Sequence, residues 1–177
     1  MNLLRTPESL EIANKLNDFE NSFYPIEFKA KLKDYKHWIE SKMFFCNTIT
    51  IEDEINSVIS FLLTDEESMN NILFNNYLEK DIVPYNFNGN AILYFSSFII
   101  NHNSHSFVLM RNVFREIKSL AQKYNIEIHS SFTIAVTTDG ERFAERNHFV
   151  TKVKYKQKYP IYTLNEGWDK SIFRYIN

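Results

Sequence analysis

Residues 91–136 read AILYFSSFIINHNSHSFVLMRNVFREIKSLAQKYNIEIHSSFTIAV, and the period of the apolar side chains changes twice within them. Ala91 to Ile100 is apolar on both faces, broken only by Ser96 and Ser97, as expected of a central strand covered on both sides. A polar run follows from Asn101 to Ser106. Leu109, Val113, Ile117, Ala121 and Tyr124 then share one helical stripe, supported by Phe114 and Leu120, with Arg111, Arg115, Lys118 and Lys123 on the other side. Asn125 is suited to stop that helix, because a short polar side chain tolerates a left-handed backbone. Phe132, Ile134 and Val136 alternate again as a strand. Strand, long helix and strand within roughly 45 residues make a βαβ unit, whose crossover is expected to be right-handed.

Upstream, Thr6-Pro7-Glu8 resembles a helix start, and Leu10, Ala13, Leu16 and Glu20 follow at helical steps. Phe28, Leu32, Tyr35 and Ile39 predict a second amphipathic helix after Pro25. From Met43 the period becomes two. Met43 to Glu52 and Ile55 to Leu63, joined at Glu52-Asp53-Glu54, predict an antiparallel hairpin. Thr64-x-x-Glu67 has the form of a capping box opening a short helix through Leu78, and residues 81–90 read as loop. Thr138-x-x-Glu141 has the same form and predicts a helix to Asn147, followed by one or two strands between Val150 and Tyr162. The expected fold is α/β, a mixed sheet with helices on both faces around a parallel βαβ core. With no repeat, low-complexity tract or linker, residues 1–177 read as one domain.

Composition narrows the function classes. A net charge of −2 gives no global attraction to nucleic acid or anionic lipid. No apolar run approaches the roughly 18–20 residues of a membrane span, and the N-terminus has too short an apolar segment for a secretory signal. Cys46 is the one cysteine, so an internal disulfide is excluded and a cytoplasmic location is expected.

The element order and two local segments resemble the GNAT N-acyltransferases. In that family a central strand ends in a pyrophosphate-binding loop that opens a long helix, and the next strand runs into a short helix. Thr137 to Phe149, TTDGERFAERNHF, is similar in length to the family's second segment, with Phe143 and Phe149 at its aromatic positions and Arg146 at a basic one. The resemblance covers roughly residues 43–160, and the first two helices also fit it. It implies an acyl-CoA-dependent N-acyltransferase, using acetyl-CoA or another acyl-CoA as co-substrate and an amine-bearing acceptor. The implied cofactor-binding residues are Ile99 and Ile100 at the strand end, His105, Ser106, Phe107, Val108, Leu109 and Met110 in the loop, and Thr137.

Several positions depart from the family pattern. The chain has three glycines, Gly89, Gly140 and Gly167, and none lies in the loop, where glycine lets a diphosphate approach backbone amides. Ala144 stands where a general-acid tyrosine is usual, Ser96 or Ser97 where a strand carboxylate is usual, and His148 where glycine precedes the final Phe. No catalytic residue is assigned. These departures support an alternative, a catalytically inactive protein of the same fold that binds a protein or another ligand.

Other motifs take plainer explanations. His102-x-x-His105 has a spacing seen in zinc sites, with His129 or His148 as further ligands, but three or four ligands are needed and no metal is assigned. His105 is also a candidate loop donor to a phosphate. Cys46 follows Met43-Phe44-Phe45, which suits burial rather than nucleophilic duty. Ser130 and Ser131 beside His129 make no triad, since neighbours on a strand face opposite ways. Lys152, Lys154, Lys156 and Lys158 alternate with Val153, Tyr155, Gln157 and Tyr159, the pattern of a strand whose lysines protect a sheet edge. An anionic partner for that face is the rival explanation.

Overall fold

The computed structural model describes residues 2–4, 10–29, 31–101 and 103–165. Seven strands form one sheet: β1 (Asn2–Leu4), β2 (Phe44–Ile51), β3 (Glu54–Asp65), β4 (Ala91–Ile100), β5 (Ile128–Ile134), β6 (Val150–Tyr155) and β7 (Tyr159–Asn165). Their spatial order is β1-β2-β3-β4-β5-β7-β6, and among the described residues β4 and β5 are the one parallel pair. Five α-helices accompany them: α1 (Leu10–Phe23), α2 (Leu32–Glu40), α3 (Glu66–Phe74), α4 (Asn103–Tyr124) and α5 (Thr138–Arg146).

The expected mixed sheet with a parallel βαβ centre is present, formed by β4, α4 and β5. Strand alternation decides which helix covers which face. Tyr94 meets Trp38 of α2 with ring centroids 6.1 Å apart, whereas its neighbour Phe95 meets Phe114 of α4 at 6.4 Å. Phe95 also touches Phe61, Phe143 and Phe149. The aromatic excess is therefore mainly core. Phe61, Tyr94, Phe114 and Phe132 are each no more than 1% exposed, and burial of such a side chain contributes roughly 1.5–3 kcal/mol.

Local signals were displaced by a residue or two. The cap of α3 is Asp65, which accepts from the Ser68 amide at 2.7 Å, while Thr64 donates its hydroxyl to the Val83 carbonyl. The cap of α5 is Thr137, accepting from the Gly140 amide at 3.1 Å, rather than Thr138. In both cases the side chain must lie just outside the first helical turn to reach an orphan amide. α3 ends at Phe74, short of the expected Leu78. The segment after Pro25 is first a 3-10 turn, Ile26–Phe28, and only then α2. β1 was not foreseen: three residues carry too little periodicity to register. The Thr6-Pro7-Glu8 helix start lies outside the described residues.

Positive backbone φ marks the tight reversals. Glu52 (52°) and Asp53 (63°) turn β2 into β3, and Lys156 (49°) and Gln157 (60°) turn β6 into β7. Asn125 at 53° ends α4 as its side chain suggested. β6 is an edge strand, which suits its exposed Lys152 and Lys154, but Lys156 to Lys158 belong to the turn. Cys46 is fully buried, and no described helix is long and apolar enough to cross a membrane.

Candidate functional site

The parallel pairing of β4 with β5 runs from Ala91 opposite Ile128 to Phe95 opposite Thr133, and then stops. β4 continues to Ile100 paired only with β3, so its other edge opens into a split between the strands. The β3–β4 ladder is irregular at the same place. Ser60 faces Ser97 and Phe61 faces Phe95, which leaves Ser96 as an extra residue. Such a bulge resets the alternation of side chains. Ser96 and Ser97 consequently both turn toward α1: Ser96 shares a 2.8 Å hydrogen bond with Ser60, and the Tyr24 hydroxyl donates to Ser97 Oγ at 2.8 Å. Phe98 turns to the opposite face and stacks on Phe143 of α5, with centroids 4.3 Å apart.

An acid sits beside the two serines. Glu20, on the sheet-facing side of α1, accepts hydrogen bonds from Ser97 and Ser60. Burial pushes its carboxyl up to about 7, and the charge of Glu79 adds to the rise, against the lowering effect of the serine hydroxyls. Glu79, in a 3-10 turn at Glu79–Asp81, accepts from Tyr94 at 2.5 Å and Tyr35 at 3.3 Å. Desolvation raises it to about 7 as well. The Tyr24 phenol is pushed well above its ordinary value by burial and then by Glu20, so it remains a proton donor. Glu20 supplies a carboxylate at the place where the strand itself carries only serines.

Three cavities meet at the split. An inner pocket of about 60 Å³ lies between the sheet and α1 and α2, walled by Glu20, Tyr24, Trp38, Glu79, Ser96 and Ser97 among others. A throat of about 30 Å³ shares Tyr24, Ser96 and Ser97 with it. On the far side a cleft of about 500 Å³ shares Phe98, Thr137 and Phe143 with the throat. The cleft is bounded by the end of β4, one face of α4, and α5 with Arg142 and Arg146.

The cleft brings together five of the nine residues expected to hold a cofactor: Ile99, Ile100, Ser106, Met110 and Thr137. Phe107, Val108 and Leu109 are not among its walls. The loop expected over residues 105–110 is helix, because α4 already begins at Asn103. Only residues one turn apart, such as Ser106 and Met110, then face the same way. Leu109 is fully buried in the core, and Phe107 is exposed beneath the Arg111 guanidinium. His102 lies outside the described residues, as does the side chain of His105. Among the described residues no group of three His, Cys, Asp or Glu side chains could hold a metal.

Ala144 is fully buried and is not among the walls of the throat. His148, in place of the expected glycine, has φ 64° and closes the end of α5, where the Phe149 amide donates to the Ala144 carbonyl at 3.0 Å. The sequence did not reveal Glu20, Tyr24 or Glu79 as site residues. One signal was present: Glu20 lies on the apolar stripe of its helix.

No family model and no curated protein matches the chain. Solved structures do match in fold. Arabidopsis thaliana NAA60 in complex with acetyl-CoA aligns over 92% of this chain and 96% of its own, with 8% identity and TM-score 0.53. FeeM, an N-acyl amino acid synthase from uncultured soil microbes, aligns over 97% and 99%, with 12% identity and TM-score 0.55. The NatC complex bound to Gag peptide and CoA supplies a chain covered over 94% and 100%, at 8% identity and TM-score 0.55. The fold is that of the GNAT N-acyltransferases.

Proposed function

We propose that this protein is an acyl-CoA-dependent N-acyltransferase, joining an acyl thioester in the β4–β5 split to an amine in the inner pocket. One observation carries this reading: Glu20, a carboxyl raised to about 7, lines the small inner pocket and hydrogen-bonds Ser97, a wall that this pocket shares with the throat toward the cleft. An amine reaches the protein mainly as ammonium at neutral pH, and two neighbouring carboxyls favour it there. Glu20 takes one proton from the ammonium, the nitrogen attacks the thioester carbonyl, the C–N bond forms as the C–S bond breaks, and the second nitrogen proton passes to the departing sulfur to give the CoA thiol. A base of pKa near 7 is suited to that transfer at neutral pH.

The cleft suits CoA by its side chains rather than by a glycine-rich loop. The unpaired edge of β4 at residues 96–100 offers backbone groups to the amides of pantetheine, and Arg142 and Arg146 offer guanidinium groups to phosphates. Ser106 near the start of α4 adds a hydroxyl. Acetyl and related short acyl groups fit a throat of about 30 Å³ better than long ones. The test is calorimetric titration with CoA, followed by thiol release from acetyl-CoA in the presence of an amine. Binding with amine-dependent release is expected; no CoA binding at millimolar concentration removes the proposal.

A second function has its own support. The Phe98–Phe143 stack stands between cleft and throat, as in a fold whose passage has closed and which binds a partner without transfer. CoA binding without thiol release under any amine favours that alternative.

A further inference from the structure

The segment joining α1 to α2 is tied to the β6–β7 hairpin. Glu27 accepts a hydrogen bond from the Tyr159 hydroxyl and pairs with Lys158 Nζ at 3.0 Å. Beside it the Phe28 ring lies edge-on to Tyr159, centroids 4.9 Å apart, and tilts against Tyr155 at 5.7 Å. Behind this contact is a vestibule of about 220 Å³ that includes Glu27 and Tyr155. Phe28, Tyr35 and Glu79 belong both to the vestibule and to the inner pocket, so they form the neck between the two.

The neck is held from both sides. Tyr35 packs edge-on against Trp38 at 4.6 Å and bonds Glu79, which Tyr94 also holds. Phe28, on the other side, is buried and kept in place by the hairpin. Beyond the neck, the cavity of about 60 Å³ takes roughly four waters, the bulk of a short aminoalkyl group.

Resting on the transferase reading, we propose that Glu27, Phe28 and Tyr159 form a latch restricting the acceptor to an unbranched primary amine, admitted end-on, and excluding a polypeptide amino terminus. An unbranched amine presents only methylenes to the neck. A peptide presents a carbon bearing both a side chain and a carbonyl, and its amide groups would lose water against Phe28 without gaining partners. Widening the neck requires Phe28 to leave the hairpin, which the Glu27 contacts oppose.

Trp38 walls the inner pocket and is 2% exposed, so its fluorescence reports occupancy without any chemistry. With Trp168 replaced by Phe it is the sole tryptophan, since the chain has two. n-Butylamine is expected to change its emission saturably, and a tetra-alanine peptide with a free amino terminus is expected to leave it unchanged. Tyr159→Phe and, separately, the exposed-site variant Glu27→Gln are expected to admit the peptide and to raise acrylamide quenching about twofold. Equal responses to both ligands in the unaltered latch, or response to neither, overturn the proposal. So do latch variants that fold but quench and select as before. Selective binding of n-butylamine with no transfer from acetyl-CoA instead sinks the transferase reading and leaves the selectivity of the pocket standing.

Discussion

The two sides of the β4–β5 split are made differently. The cleft on the α4–α5 side is wide, and its charged groups, Arg142, Arg146 and Asp139, are exposed. The pocket on the α1–α2 side is small, and its polar groups are held in a fixed network of serines, tyrosines and two carboxyls. Of the departures from the family pattern, the missing glycines fall on the first side, in α4, and the missing strand carboxylate falls on the second, at Ser96 and Ser97. The features that could do chemistry fall on the second. The lesson is that a depleted cofactor motif says little about the acceptor side, because the two sides are built by different parts of the chain.

The largest expected effect tests whether the acceptor side is chemical at all. Glu20→Gln should lower acyl transfer by roughly 10²–10⁴-fold with CoA affinity unchanged, measured by thiol release and calorimetry. Equal loss of CoA binding would erase the distinction between the sides. Next is the cleft: Arg142→Gln combined with Arg146→Gln should weaken CoA about tenfold and flatten its salt dependence, while pantetheine affinity stays the same. A loss shared by pantetheine would place the phosphates elsewhere.

Glu79→Gln sharpens the coupling between the two carboxyls. Glu79 raises Glu20, so its removal should move the rising limb of the pH–rate profile from near pH 7 to lower pH. Stability gives the matching sign. Both carboxyls have folded values raised from 4.5 to about 7, so the native state binds protons more tightly, and their contribution fades as pH rises from about 4.5 through 7. Glu79→Gln should therefore be relatively more stable at pH 8 than at pH 5 compared with the parent, read by thermal melts. The smallest effect lies outside both sides: His148→Gly should stabilise by about 1 kcal/mol, because glycine takes φ 64° without the penalty carried by a side chain.

Much of the frame was legible because it depends on local periodicity. The both-faces-apolar run at 91–100, the α4 stripe and the stop at Asn125 needed no knowledge of the rest of the chain. Boundaries were less so: Thr64 and Thr138 each resembled a cap one residue from the true one, since a capping pattern does not say which hydroxyl will face the free amide. The cofactor loop failed for a related reason. Polar residues Asn103 to Ser106 read as loop, yet they form the first turn of α4, and Leu109 packs in the core as its place on the helical stripe implied.

The inner pocket was legible only as its missing half. Ser96 and Ser97 marked a strand without a carboxylate, and Glu20 was a polar residue on an apolar stripe more than 70 positions away. Nothing in either segment refers to the other. By itself the sequence determined the alternation of elements, the central strand and helix, and the absence of family glycines, all properties of neighbouring residues. The tertiary structure alone decided that a bulge turns two successive serines to one face and that α1 lays Glu20 across them. It also decided that Glu79 comes close enough to raise Glu20. Proximity and desolvation are properties of the packed chain, and they are what raise the carboxyl of an ordinary glutamate to about 7.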